Sequence, residues 1–336
     1  MKQFRHDLPF HLESGKVLNG IDITFHTYGE MNEDQSNVVW ICHHLTANSD
    51  ASLWWPGFVG PGAIIDPSRY FIVCANILGS CYGSTGPLSI DPATGKPYYM
   101  TFPQVTIRDM VNAHILLRQH LGIKKINTLI GGSMGGYQAL EWCIMEDDVI
   151  DNLVLLSTSA AESAWGIAVH TSQRMAIEAD CTWNEPSADA GKKGLKAARA
   201  IGLISYRNHA ILVRKQTDPD TNKTDDYKAS SYVKYQGEKL VSRFNTHSYW
   251  LLTKAMDSHH IARGRNKSAA EILQGLNQKT LVFGIHSDIL CPLAEQEFLA
   301  KNIPDSRFIA IDSAYGHDGF MVESEVISKY LAEWWG

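Results

Sequence analysis

Short apolar runs alternate with segments of helical character through the first half of the chain. The helical segments include residues 106–121 and 134–145. The apolar runs lie near residues 21–28, 37–42, 70–77, 126–130 and 151–157. Apolar runs of this length, separated by helices, are typical of parallel strands buried on both faces. The pattern therefore predicts an α/β protein with a mainly parallel sheet and helices on both faces of that sheet.

The alternation stops between residues 160 and 268, where the sequence has helical character and no clear strand. The segments 193–201 and 249–256 are examples, and the polar stretch 216–226 is predicted to be an exposed loop. We expect this part of the chain to form a helical lid over the ends of the strands.

Strand character returns at residues 280–285 and 307–311. We therefore expect one core in two parts, residues 1–159 and 269–336, on either side of a lid at 160–268. A core of more than about 200 residues with one insertion is reasonable for a chain of 336 residues.

A glycine-flanked serine lies where a predicted strand meets a predicted helix. The apolar run 126–130 leads into Gly131-Gly132-Ser133-Met134-Gly135-Gly136, and a helix-forming segment follows. In this context the G-x-S-x-G pattern predicts a nucleophile elbow, a tight turn that raises the serine oxygen above the sheet. Side chains two residues before and after the serine would collide in such a turn, and the glycines at 131 and 135 remove them. A glycine-rich turn with a surface serine is the alternative.

A serine hydroxyl needs a base and an orienting acid to act as a nucleophile at neutral pH. In the elbow architecture these follow in the chain order Ser, Asp or Glu, His. Asp288 and His317 each follow one of the two late strands, and therefore lie at the edge where open α/β sheets build their sites. Ser133, Asp288 and His317 are the predicted catalytic triad. Taken singly, Asp288 could instead cap the helix before Pro292, and His317 could be an ordinary loop histidine.

An oxyanion hole needs two hydrogen-bond donors. The Met134 backbone N–H, at the start of the helix after Ser133, is predicted to be one of them. The second is expected in the loop after the third strand of the elbow architecture, which is the apolar run 37–42 in this chain. We assign this donor to the Leu45 backbone N–H.

The adjacent histidines His43-His44 and His259-His260 do not predict a metal site. Neighbouring side chains on an extended chain point in opposite directions, so they seldom bind one ion. The chain contains no H-E-x-x-H motif and no C-x-x-C pair. We therefore expect no metal and no tightly bound cofactor.

Several long stretches are far more specific than a glycine-flanked serine. They are Trp54-Trp55-Pro56-Gly57, Gly60-Pro61-Gly62, Asp66 to Phe71, Asn76 to Pro87, Asp91 to Tyr98, Thr106 to Met110, the elbow continued to Trp142, and Tyr315 to Phe320. On these stretches the chain resembles the homoserine O-acetyltransferase family of α/β hydrolases. The resemblance covers most of the chain and is weakest between residues 181 and 232. The chain departs from the family at Tyr137 (usually Met), at Ala47 (usually Gly), over 289–291 and over 185–190.

The resemblance implies an α/β-hydrolase fold and a two-step transfer of an acetyl group from acetyl-coenzyme A to the hydroxyl of L-homoserine, in methionine biosynthesis. It also implies that Arg174 binds the acceptor carboxylate and Asp318 the acceptor ammonium. A homodimer joined through the lid is implied as well, and the lid has large apolar residues to form it: Leu240, Phe244, Trp250 and Leu251. Lys192, Lys193, Lys196 and Arg199 could meet the phosphates of coenzyme A, or form a solvated helix face.

Other functions remain open on the sequence alone. A serine esterase would use the same triad with water as acceptor, and the donor could be succinyl-coenzyme A or the acceptor L-serine. A non-catalytic binding module on a hydrolase scaffold would lack a working triad. The departures from the family bear on this choice, because the shape of the pocket decides which donor and acceptor fit.

The composition narrows the class of protein. Hydrophobic residues make up 44% and charged residues 20% of the chain, as in globular soluble proteins. The net charge of −6 and the lack of a dense basic run argue against nucleic acid as a partner. Six cysteines without paired spacing suit a reducing cytoplasm. No signal peptide and no run of about 18 apolar residues is seen, so neither secretion nor a membrane span is expected.

Overall fold

Eight strands form one sheet in the computed structural model, which describes residues 1–335. They are β1 (Lys2–His6), β2 (Ile21–Tyr28), β3 (Val38–Cys42), β4 (Phe71–Ala75), β5 (Ile126–Gly132), β6 (Ile150–Leu156), β7 (Lys279–Ile285) and β8 (Ser306–Ile311). Seven of them coincide with the apolar runs of the sequence. The sequence pattern does not predict β1, because this edge strand has the polar sequence Lys-Gln-Phe-Arg-His and only one neighbour to pair with.

The strands lie in the order β1-β2-β4-β3-β5-β6-β7-β8. β2 pairs antiparallel with β1 and β4, and every other pair of neighbours is parallel. From β3 the chain continues to one side of the sheet, and from β5 it continues to the other. The carboxyl ends of these two strands, where Cys42 pairs with Gly131, therefore form a switch point of the kind at which α/β proteins bind ligands.

Twelve helices of α type occur within residues 1–335. They are α1 (Ala51–Trp54), α2 (Ile107–His120), α3 (Met134–Met145), α4 (Ala164–Glu178), α5 (Lys192–Tyr206), α6 (His209–Gln216), α7 (Lys228–Val241), α8 (Thr246–Asp257), α9 (Ala269–Leu273), α10 (Leu293–Asn302), α11 (Gly319–Val322) and α12 (Ser324–Trp335). Single 3₁₀ turns form at Tyr99–Thr101, Asp147–Val149 and Gly316–Asp318. Within the described range, no helix combines the length and the apolar character that crossing a membrane would need.

Alternate residues of the strands pack into two separate apolar clusters, one on each face of the sheet. In β3, Trp40 and Cys42 belong to the larger cluster, which also contains residues of α2 and α3. Val39 and Ile41 belong to the smaller cluster, which contains residues of α1 and α12. Successive side chains of a strand point to opposite faces, so the fully buried run of β3 needs helices on both. The expected α/β-hydrolase architecture, mainly parallel with helices on both faces, is confirmed.

The chain between β6 and β7 forms the helices α4 to α9, of which α4 to α8 lie within residues 160–268, and adds no strand to the sheet. We call residues 160–268 the helical insertion. Its two ends meet, because the Glu162 N–H donates to the His259 carbonyl and the Ile261 N–H to the Ala160 carbonyl, both at 2.9 Å. Within it, α4 and α5 pack closely, and a Cβ on Gly194 would come within 2.5 Å of the Ile177 Cα. The division of the chain into core and lid domains stays a prediction.

A buried carboxylate ties the insertion to the core. Glu141 of α3 has a side chain only 1% exposed, and it accepts hydrogen bonds from Arg108 of α2 and Arg265 of the insertion. The two guanidinium groups compensate the loss of hydration that burial imposes on the carboxylate. The insertion is therefore held against α2 and α3 at its carboxyl-terminal end.

Candidate active site

Ser133 occupies the sharp turn between β5 and α3. Its backbone has φ 54° and ψ −128°, in the left-handed half of conformational space that side chains rarely adopt. A Cβ on Gly131 would lie 2.1 Å from the Gly135 carbonyl oxygen, and one on Gly135 would lie 2.1 Å from the Cys42 carbonyl oxygen. Only glycine fits at both positions, which is the physical reason for the G-x-S-x-G spacing. The turn carries Ser133 to the switch point of the sheet.

A chain of hydrogen bonds joins the three predicted catalytic residues. The Ser133 Oγ lies 2.8 Å from the His317 Nε2, and the His317 Nδ1 lies 2.7 Å from the Asp288 Oδ2. The other oxygen of Asp288 accepts the N–H groups of Leu290 and Cys291, at 2.8 and 3.0 Å. Asp288 therefore organises its own turn and does not cap α10. All three side chains of the triad are buried.

The protonation balance of His317 is set by two opposing effects. Burial lowers the pKa of the imidazole, since a buried cation loses hydration, but the charge of Asp288 and its hydrogen bond raise it. The net result is a pKa raised above the usual value for histidine. The Asp288 carboxylate thus favours the protonated imidazole, the form that arises when His317 accepts a proton from Ser133.

Two backbone N–H groups lie near the nucleophile without protein acceptors. Met134 is the first residue of α3, a position where the helix itself offers no acceptor. The Leu45 N–H has no acceptor among the described residues, and Leu45 lines the same cavity as Ser133. Neither donor has to break a protein hydrogen bond before it can bind an oxyanion.

Ser133 and His317 open into a cavity of about 320 Å³ between the core and the helical insertion. Leu240, Met256 and Leu290 supply apolar walls. The cavity is also rich in positive charge. Its cationic lining residues are Arg199, Arg207, Lys239 and Arg243, and its one acidic lining residue is Asp318. A ligand with negative groups suits this balance of charge.

Asp318, the residue after His317, lines the cavity. Its Oδ2 forms an ion pair with the Arg207 Nη2 at 3.2 Å, and its side chain is 14% exposed. Arg207 directly follows α5, and nothing in the local sequence marks it as a site residue.

Arg174 does not line the cavity, so the structure corrects the expectation for this residue. Its Nη2 donates to the Asp257 Oδ2 at 2.6 Å and to the Thr171 Oγ1 at 3.0 Å. Asp257 also binds the His170 Nδ1 at 2.8 Å. The guanidinium is thus used in packing α4 against α8.

Arg199 of α5 also lines the cavity. Among residues 1–335 it makes no hydrogen bond or ion pair, and its guanidinium carbon lies 5.5 Å from the centre of the Tyr206 ring. The neighbouring lysines of α5 behave differently. Lys192 pairs with Asp189 and Lys196 with Glu238, away from the cavity and partly in solvent. None of the three lysines, Lys193 included, lines the cavity, so of the four predicted cations only Arg199 is available to a ligand there.

Two acids that the sequence does not single out adjoin the triad: Glu162, with a buried side chain, and Glu295, which is half-buried. Tyr137, one turn along α3 from Ser133, donates to the Glu162 Oε2 at 3.1 Å, and the Glu162 side chain is 4% exposed. Burial raises the pKa of Glu162. Burial, followed by the negative charges of Glu162 and Asp288, raises the pKa of Glu295 to about 7. These acids come from distant parts of the chain, so no local motif announces them.

One cluster of possible metal ligands occurs within residues 1–335. Donor atoms of Asp288, Cys291 and His317 lie within 4.8 Å of one another. Asp288 and His317 are already hydrogen bonded to each other, and burial raises the pKa of the Cys291 thiol well above its usual value. A metal would have to displace the first contact and ionise the thiol. His43 is also unsuited, since its two ring nitrogens already contact the His44 carbonyl and the Ile77 N–H.

Comparison with known proteins agrees with the geometry. A family described as having the alpha/beta hydrolase fold matches residues 37–324. The homoserine O-acetyltransferase of Cyclobacterium marinum is 46% identical over 320 residues, which cover 95% of this chain and 91% of that protein.

Two solved structures share the whole fold. The homoserine O-acetyltransferase from Bacillus anthracis has a TM-score of 0.91 at 23% identity, with 99% of this chain and 96% of that chain covered. The esterase E22 has a TM-score of 0.90 at 22% identity, with 99% and 98% covered. At such identities the likeness establishes the fold alone. The resemblance seen in the sequence is confirmed by the match at 46% identity: the chain belongs to the homoserine O-acetyltransferase family of the α/β hydrolases.

Proposed function

We propose that the protein is an acyltransferase that moves an acetyl group from acetyl-coenzyme A to the hydroxyl of L-homoserine, through an acyl-enzyme at Ser133. The observation that carries the proposal is the hydrogen-bonded chain from Ser133 through His317 to Asp288, which opens into a cation-lined cavity. Acetyl-coenzyme A is a substrate here, and the mechanism requires no resident cofactor.

In the first step the Ser133 oxygen attacks the thioester carbonyl and the His317 Nε2 takes the serine proton. The carbonyl oxygen becomes an oxyanion, which the N–H groups of Leu45 and Met134 stabilise. Asp288 keeps the imidazole oriented and stabilises its positive charge. The carbon–sulfur bond then breaks, His317 returns the proton to the leaving sulfur, and coenzyme A departs as the free thiol.

In the second step the acceptor hydroxyl replaces the thiol. His317 removes its proton, the oxygen attacks the carbonyl carbon of acetyl-Ser133, and the same two N–H groups bind the second oxyanion. When the bond to the Ser133 oxygen breaks, His317 returns the proton to the serine. The products are O-acetylhomoserine and the free enzyme.

The acceptor is a zwitterion, so its site needs one anion and one cation. Asp318 is the anion on the cavity wall and suits the ammonium group, with Arg207 holding its carboxylate in position. Arg199 suits the carboxylate, because its planar guanidinium can give two parallel hydrogen bonds and has no protein partner to leave.

Transfer to an alcohol has to compete with water, which is present at very high concentration. We propose that the helical insertion acts as a lid that excludes water, with Leu240 and Met256 as its apolar contribution to the cavity. We also propose a cytoplasmic location, where a reducing environment keeps buried cysteines such as Cys42 and Cys143 free.

A homodimer through the helical insertion is part of the proposal, but three of the four residues that the sequence suggests for it are buried, and the fourth, Trp250, is half-buried. Leu240, Phe244 and Leu251 are 2%, 3% and 4% exposed, because they pack inside the chain. Other apolar residues of the insertion are exposed and available for a partner copy: Trp165, Met175, Ile204, Val213 and Tyr235. Light scattering at micromolar concentration measures the mass, and a monomer would refute the proposal.

A thiol-release assay tests the proposed function. Free thiol is measured with acetyl- or succinyl-coenzyme A as donor, and with L-homoserine, L-serine or no acceptor. We expect the fastest release with acetyl-coenzyme A and L-homoserine, and the appearance of O-acetylhomoserine in equal amount. Release that does not depend on an acceptor would instead identify an esterase, and no release together with no labelling of Ser133 by a fluorophosphonate would leave only a binding module.

A further inference from the structure

The helical insertion reaches the oxyanion loop through one side chain. Arg243 lies in the turn between α7 and α8, and its Nη1 donates to the Thr46 carbonyl oxygen. Its Nη2 donates to the Thr46 Oγ1 at 3.2 Å, and its Nη1 also lies 3.0 Å from the Tyr82 Oη. The contacts with Thr46 join positions 197 residues apart in the chain. They connect the insertion to the loop after β3.

The bound loop is the one that carries an oxyanion donor in the proposed function. The Ala47 N–H donates to the His44 carbonyl at 3.1 Å and closes a four-residue turn over 44–47. Leu45 and Thr46 are the two central residues of this turn. In the proposed function Leu45 gives its N–H to the oxyanion, while Thr46 gives its carbonyl and its hydroxyl to Arg243. In a closed turn the two central peptides cannot rotate independently, so a group that holds Thr46 also orients Leu45.

The position of Arg243 is itself fixed by the packing of the insertion. Its neighbour Phe244 is 3% exposed and its ring packs edge-on against Tyr82, with 5.7 Å between the centroids. The next residue, Asn245, caps α8 by accepting the N–H groups of His247 and Ser248. A side chain on a mobile loop could not fix the geometry of another turn. The backbone at Arg243 is held in place by the packing of Phe244 and the capping by Asn245. Its partners within residues 1–335 are neutral oxygens, so its charge is not neutralised by a carboxylate.

We propose that Arg243 is a positioning residue through which the helical insertion sets the geometry of the oxyanion turn. The inference rests on the proposed function for the role of the Leu45 N–H. It means that the insertion completes the catalytic machinery in addition to covering it. The site reaches full activity only while Arg243 holds Thr46.

Arg243→Met tests the proposal, because methionine keeps an unbranched apolar stem and removes every donor. Loss of one oxyanion donor costs about 10²–10³ in kcat, and a displaced donor should cost less, so we expect kcat to fall about 10- to 100-fold. Arg243→Lys, which keeps the charge and a single donor nitrogen, should recover part of the loss. The exposed Lys234 of α7 provides the matched control, and Lys234→Met should leave kcat unchanged.

Two further measurements separate positioning from general damage. A trifluoromethyl ketone forms a tetrahedral adduct with Ser133, so its inhibition constant should weaken in proportion to kcat/KM, while KM for acetyl-coenzyme A changes by less than about threefold. Hydrolysis of 4-nitrophenyl acetate forms the same oxyanion without coenzyme A or homoserine, and should slow by a similar factor. This second substrate keeps the test valid if the proposed acceptor or donor is wrong.

One pattern of results would overturn the proposal. If Arg243→Met raises KM for acetyl-coenzyme A but leaves kcat, the ketone constant and ester hydrolysis unchanged, Arg243 serves only to bind the donor. If Arg243→Met does not fold, Thr46→Val removes the hydroxyl contact alone. That variant should lower kcat and weaken inhibition by the trifluoromethyl ketone in the same proportion. No change in either quantity would also refute the positioning role of Arg243.

Discussion

Arg199 and Arg174 offer a direct test of where the acceptor carboxylate binds. Both are arginines of insertion helices, but they differ in what their guanidinium groups touch. Arg199 lines the cavity and has no polar partner within residues 1–335, whereas Arg174 is held by Asp257 at 2.6 Å. Truncating each to methionine should therefore separate substrate recognition from stability.

The two contacts set the size of each effect. A charge-assisted hydrogen bond contributes about 1.5–3 kcal/mol, so Arg199→Met should lower kcat/KM for L-homoserine by about 10- to 150-fold. Arg174→Met should leave that ratio close to the wild-type value. Its side chain and that of Asp257 are 12% and 18% exposed, and breaking this ion pair should cost about 1–3 kcal/mol of unfolding free energy, below the range for fully buried pairs.

Steady-state kinetics with varied L-homoserine gives the first quantity, and urea unfolding gives the second. The burst of coenzyme A release, followed by rapid mixing, should remain normal in Arg199→Met because acetylation of Ser133 precedes acceptor binding. The reasoning is wrong if Arg174→Met, and not Arg199→Met, loses efficiency toward L-homoserine. A slowed burst in Arg199→Met would instead assign that arginine to the donor.

Three further substitutions address the chemistry. Ser133→Ala should fold normally and lower turnover by several orders of magnitude, and intact-mass analysis with acetyl-coenzyme A should detect one acetyl group on the wild type and none on this variant. Asp288→Asn should lower kcat by about 10⁴, as the same change does in serine proteases, and near-normal turnover would mean that another carboxylate orients His317. Glu295 has a pKa raised to about 7, so above that pH its negative charge favours the protonated form of His317. Glu295→Gln removes this charge and should move the acidic limb of the kcat/KM profile to lower pH. The control substitution Glu297→Gln, at an exposed position, should leave that limb unchanged. Because folding raises this pKa above 4.5, ionisation of Glu295 costs stability as pH rises from about 4.5 through 7, and chemical unfolding of the Gln variant should lack this loss.

Seven strands, and the nearness of Ser133, His317 and Asp288, could be predicted from the sequence because they depend on local patterns. Ser133 is recognisable from a turn that only glycines permit, and His317 and Asp288 from their place after apolar strands. The role of Arg174 could not be judged in the same way. Arg174 and Arg199 both lie on amphipathic helices, and which of them faces the cavity depends on how α4 and α5 pack against each other and against α8.

The same limit applies to the apolar residues of the insertion. Leu240, Phe244 and Leu251 are large and apolar, and the sequence alone does not distinguish a dimer contact from an internal one. In the fold they fill the space between the insertion and the core first. The acids Glu162 and Glu295 illustrate the complementary case, since their nearness to the triad arises only from the tertiary structure.

The meeting of the two ends of the helical insertion has a consequence for the history of the fold. Ala161 and His260 form a bridge, so the chain leaves and re-enters the core at a single point. An ancestral gene could have acquired the stretch between them by one insertion event, without altering the order or direction of any strand. The same geometry makes this point a natural junction for grafting the insertion of one relative onto the core of another, so that the cavity wall contributed by the insertion can be exchanged as one unit while the triad and Asp318 stay in place.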